Sequence, residues 1–86
     1  MAKNELYLAV LPLIQLSDGL TQQVLTLMPS RDFATSFFPD EVDVYIRMFE
    51  GRANKYLSGG HVTGYEVVKE PTEDGRLLVR VIQSVA

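Results

Sequence analysis

Residues 39–57, Pro-Asp-Glu-Val-Asp-Val-Tyr-Ile-Arg-Met-Phe-Glu-Gly-Arg-Ala-Asn-Lys-Tyr-Leu, hold the longest stretch of one clear period in this chain. Val42, Tyr45, Ile46, Phe49, Ala53, Tyr56 and Leu57 recur at three- and four-residue steps, the spacing that lines one face of an α-helix. Asp43, Arg47, Glu50, Arg52, Asn54 and Lys55 fall mostly on the opposite side. Asp40 is placed to accept hydrogen bonds from the free amides of the first turn, and Lys55 suits the negative end of the helix dipole. A helix with such a stripe has to bury it, so the remaining residues must supply the surface it covers.

The chain has 86 residues, enough for one domain, 1–86, and too few for a second to close its own core. A composition 47% hydrophobic and 22% charged is that of a folded globular protein. Without cysteine the chain has no disulfide, thiolate metal site or cysteine nucleophile, and a small disulfide-free domain suits a reducing, cytoplasmic setting. The net charge of −3 is uneven. Residues 1–43 carry two basic against six acidic side chains, and residues 44–86 carry six against five. No basic run is present, so nucleic acid is an unfavoured partner.

Residues 6–16 are almost continuously apolar. That run is too short for a membrane span, which takes about 20 residues, and it lacks the small-residue cleavage site of a signal peptide. It reads as a buried strand over 6–11. Pro12 cannot donate to a ladder, so the strand should end, bulge or lie at an edge there, with Leu13, Ile14 and Leu16 filling core beyond it. Ser17-Asp18-Gly19 then resembles a helix start. Leu20, Val24, Leu27 and Met28 follow at helical spacing, and Pro29 stops the segment.

Residues 29–39 connect the two expected helices and carry Phe33, Phe37 and Phe38 without a clear period. A connection of this kind is packed down by its own side chains or presents them to a partner. Ser58-Gly59-Gly60 reads as a glycine stop after the long helix. Residues 61–69 and 76–84 are rich in β-branched side chains and flank a segment ending Asp74-Gly75, which predicts a β-hairpin. Tyr65, Val67, Leu77, Val79 and Val81 form its core-facing set. Leu78 and Ile82, split by Arg80, form a second face open to a subunit contact. The expected fold is therefore α+β, in the order strand–helix–helix–β-hairpin, with a small three-stranded sheet and two helices packed on one face.

Residue patterns that carry chemistry are sparse in this chain. The glycines of Gly59-Gly-His-Val-Thr-Gly64 have phosphate-loop spacing, but Tyr65 and Glu66 stand where Lys and Ser or Thr are needed. Gly64-Tyr65 with Val68 matches only part of the RNA-recognition strand motif. Thr63 replaces its basic residue and Val67 its central aromatic, so Tyr65 reads as a cross-strand packing residue. His61 is the only histidine and has no carboxylates at metal-ligand spacing. The helix dipole alone accounts for Asp40, Glu41 and Asp43. No cofactor, metal site or catalytic set is expected, and the chain reads as non-enzymatic.

What remains is surplus apolar surface. The leading expectation is a protein–protein interaction module docking through Phe33, Phe37, Phe38, Val44, Arg47, Met48, Arg52 and Lys55. Such a module would be a small phage or mobile-element inhibitor or an accessory subunit, with homodimerisation as one arrangement. One alternative is single-stranded RNA or DNA binding through Tyr65 and Arg80 on the sheet, beside Arg47, Arg52 and Lys55. A second is a small-molecule or nucleotide site at a dimer interface.

Overall fold

Two glycine turns fold this chain into a pair of β-hairpins, one on either side of a helical segment. The computed structural model describes residues 2–15, 17–57 and 62–85. The first hairpin joins β1, Ala2–Gln15, to β2, Thr21–Met28, through a turn in which Gly19 has φ +87°. The second joins β3, Val62–Pro71, to β4, Leu77–Val85, through a turn in which Gly75 has φ +82°. Both values lie in the left-handed region that favours glycine over residues with a Cβ. Between the hairpins come a 3-10 turn at Arg31–Phe33, helix α1 at Val42–Gly51 and the short helix α2 at Ala53–Tyr56.

All four strands form one sheet in the order β2-β1-β4-β3, with every neighbouring pair antiparallel. Tyr7 lies opposite Met28 on one side and Arg80 on the other, and Val67 lies opposite Val81. Side chains alternate across a strand, so one face carries Leu8, Leu25, Val67, Val79 and Val81, and the helices cover it. Val42, Ile46 and Phe49 of α1 enter this core, with Tyr45, Ala53, Tyr56 and Leu57 packed around them. Each fully buried side chain of this size is worth about 1.5–3 kcal/mol relative to exposure. The other face carries Glu5, Tyr7, Ala9, Val24, Thr26, Met28, Arg80 and Ile82.

The segment between β2 and α1 changes face by passing between the two central strands. β1 pairs with β4 only from Ala2 to Tyr7, and beyond that point the strands part. Thr35 fills the gap on the β1 side: its amide donates to the Leu8 carbonyl at 3.1 Å, and its Oγ1 accepts from the Val10 amide at 2.7 Å. Phe37 fills it on the β4 side as an isolated bridge to Leu77. Before the crossing, Arg31 pairs with Glu70 on the open face at 3.2 Å; after it, the Phe37 ring is buried in the helix-side core.

The expected three-stranded sheet with two helices is corrected to a four-stranded antiparallel sheet with one helix of substantial length. The segment expected as the first helix is strand β2. Leu25 and Leu27 alternate with Val24, Thr26 and Met28 across its two faces, and β1 supplies its ladder. Asp18 does accept a backbone hydrogen bond, from the Leu20 amide at 3.1 Å, but within a hairpin turn and not at a helix cap. The expected helix over 40–57 begins at Val42, with Glu41 as its cap residue, and is interrupted at Arg52, whose φ of −129° lies outside the helical range. Strand β1 runs well past 6–11. Pro12 stays within it, and the register shifts between Pro12 and Ile14, a bulge within the strand.

The β3–β4 hairpin turns at Asp74-Gly75 as expected, and its two faces divide as the alternation implies. Ser58-Gly59-Gly60, His61, Leu16 and the side chains of Leu13 and Ile14 lie outside the described residues.

Candidate interaction surface

The outer side of α1 presents two apolar side chains one turn apart. Val44 is 48% exposed and Met48 49% exposed, because the helix turns Val42, Ile46 and Phe49 into the core and leaves these positions outward. Arg47, Arg52 and Lys55 are exposed on the same helical segment, and the Arg47 guanidinium donates to the Asp43 carbonyl at 3.4 Å. Met48, Arg52 and Lys55 border a hollow of about 230 Å³ whose opposite wall is Gln22, Gln23 and Leu25 of β2. Four consequences of the fold thus meet there: an apolar side chain, two cations, an amide-rich strand and a concave surface.

The three phenylalanines divide. Phe37 is 1% exposed and belongs to the core, its ring 4.7 Å from that of Tyr45. Phe33 and Phe38 are 62% and 51% exposed. The Arg76 guanidinium lies 4.4 Å from the centre of the Phe38 ring, a cation–π contact that holds the exposed ring in place. Arg76 also reaches the Ser36 hydroxyl at 3.5 Å.

At the other end of α1, Lys69 of β3 contacts Asp43 at 2.7 Å. The ammonium donates to the Asp43 carboxylate and holds its pKa below the usual value, first through that hydrogen bond and then through its charge. Thr72 and Arg76 act similarly on Asp74 in the hairpin turn: the Thr72 hydroxyl leads, and the Arg76 amide and charge assist.

Tyr65 and Arg80 are not brought together. The Tyr65 ring meets Phe49 edge-on at 5.4 Å, on the side of the sheet that the helices cover. Arg80 belongs to the opposite face and donates to Glu5 at 3.4 Å. A nucleic-acid surface built on both side chains is therefore not assembled.

Sequence reasoning missed the outer edge of β2. Thr35 bonds to the backbone of Leu8 and Val10, so these residues direct their amides and carbonyls away from β2. Their opposite numbers, Leu27 and Leu25, accordingly direct theirs away from β1, and the two-residue period adds Gln23. No described residue outside the sheet donates or accepts a hydrogen bond at these outward groups. The available signal was the uncharged run Thr-Gln-Gln-Val-Leu-Thr-Leu-Met.

Among the described residues no group of three metal-ligating side chains comes together. No helix among the described residues is long and apolar enough to cross a membrane. Comparison with protein-family models, curated proteins and solved structures returns no match.

Proposed function

We propose that this chain is a non-enzymatic protein-interaction module that docks through the outer side of α1. The observation carrying the proposal is the pairing of Val44 and Met48 as exposed apolar neighbours bordered by Arg47, Arg52 and Lys55. An apolar centre with a charged rim is the composition of a protein interface, and the three cations favour a partner whose complementary rim is acidic. Phe38, held under Arg76, supplies a further exposed ring on the connection leading into the helix. Phe37 is removed from this surface by its burial.

Affinity capture from the source organism, with the native chain and a Val44→Asp/Met48→Asp variant compared side by side, tests the proposal. Both side chains are half exposed, so the variant should keep its fold. A protein recovered in stoichiometric amount by the native chain and lost with the variant is the expected result. Equal recovery of every protein by the two would remove this surface from consideration.

A further inference from the structure

We infer that β2 is a self-pairing edge: two copies of this chain join antiparallel along it, about a twofold axis at Thr26, and the two four-stranded sheets become one of eight strands. This goes beyond the docking surface on α1, since it uses the strand backbone and names a second copy as the occupant.

The two edges of the sheet are built differently. An exposed edge is a row of unpaired amides and carbonyls, which proteins ordinarily blunt with proline, lysine or a bulge. β3 has all three: Pro71, Lys69, and a register shift between Val62 and Gly64. The chain uses them where pairing would be adventitious. Thr21–Met28 has no charge, proline or glycine along its eight residues, and Gln23, Leu25 and Leu27 point their backbone groups outward.

The side chains select both the partner and the register. Centring an antiparallel pair on Thr26 places Leu25 opposite the second copy's Leu27 on the helix side, and Val24 opposite its Met28 on the open side. The outward groups of Leu25 and Leu27 then exchange the ladder hydrogen bonds. Thr26 faces Thr26 in the closer, non-hydrogen-bonded kind of pair, where threonines match well. Centring on Leu25 instead keeps Leu25 against Leu25 but sets Gln23 against Leu27 and Val24 against Thr26, polar against apolar on both sides of the axis. The favoured pairing is isologous and closes on itself, as a symmetric dimer requires. Arg52 and Lys55 border β2 at Gln22 and Gln23, roughly 10 Å along the strand from Thr26. The twofold axis carries the two sets of cations to opposite ends, so they do not oppose one another.

Sedimentation of the full chain gives the test. The native chain should be a dimer. Thr26→Lys alone and Thr26→Glu alone should each raise the dimer dissociation constant by about tenfold or more, since each sets like charges directly opposite. An equimolar mixture of the two should restore a dimer containing one copy of each. Unchanged circular dichroism in all samples separates lost pairing from lost fold. Because the native chain has no cysteine, oxidised Thr26→Cys should give a covalent dimer, and Val44→Cys should not.

A native chain that stays monomeric at about 1 mM, the weakest pairing worth the name, would overturn the inference. So would a dimer that neither charge variant disturbs, or a monomer whose β2 edge pairs only with an added extended peptide. A Thr26→Lys monomer that still captures a protein lost with Val44→Asp/Met48→Asp shows the two surfaces to be separate. Self-pairing without any such capture removes the α1 reading alone.

Discussion

Phe37 and Leu77 exchange two backbone hydrogen bonds of 2.8 and 2.9 Å, which stitch the connection into α1 to the first residue of β4. The Phe37 ring is thereby committed to the core, while Phe38, the next residue, is committed to the surface. Phe37→Ala should lower the unfolding free energy by about 3–5 kcal/mol through the cavity it leaves. Phe38→Ala should cost about 1 kcal/mol or less, the scale of an exposed cation–π contact. Urea unfolding of both variants checks the contrast, and coincident midpoints would contradict it.

Thr35→Val keeps the shape of the side chain and removes the oxygen that accepts from the Val10 amide. The orphaned amide should cost about 1–3 kcal/mol. Hydrogen exchange at Val10 should quicken in the Val variant and stay slow in Thr35→Ser, which keeps the hydroxyl. Unaltered protection in Thr35→Val would mean that the crossing is held by other contacts.

The Asp43 carboxylate, its pKa lowered by Lys69, contributes stability that is present above its unfolded value near 3.8 and is lost as the pH falls through the lower folded value. Asp43→Asn should therefore be less stable than the native chain at neutral pH, and the gap should close in acid. Both groups are exposed, so salt should narrow the gap as well. Thermal unfolding across pH and ionic strength reads it out, and a gap independent of pH would rule out the carboxylate as its cause.

Gly75→Ala should cost about 1–2 kcal/mol, since φ is +82° and an L-residue is strained there. A Cβ at this position would meet nothing within 4 Å, so the cost belongs to the backbone alone. Gly75→Asn should recover part of it, because asparagine tolerates the left-handed region. Equal losses for the two would point to a cause outside the turn.

The second hairpin was legible because its signals agree: Asp74-Gly75 supplies the turn, and Tyr65, Val67, Val79 and Val81 alternate. The buried face of α1 was legible for the same reason. β2 was not, because Leu20, Val24, Leu27 and Met28 satisfy a helical spacing while Leu25 and Leu27 satisfy an alternating one. Ser17-Asp18-Gly19 likewise serves either a helix start or a hairpin turn. The local pattern left the conflict open, and pairing with β1 resolves it. On the candidate surface, Val44 and Met48 could be read from the helix period. The separation of Phe37 from its neighbours depends on the passage between β1 and β4, which no spacing encodes. The outward groups of β2 were hidden because their direction follows from strand order.

Threading the connection between the central strands also constrains how this molecule comes together. Each hairpin closes over a few residues and can form early, whereas the β1–β4 ladder joins positions as distant as Lys3 and Ser84. Such non-local pairing raises contact order and slows folding. Because Thr35 and Phe37 occupy the place where those strands diverge, the ladder cannot zip to its full length around a misplaced connection. Completing the sheet therefore requires two hairpins and the segment between them to meet at one junction, a three-body closure.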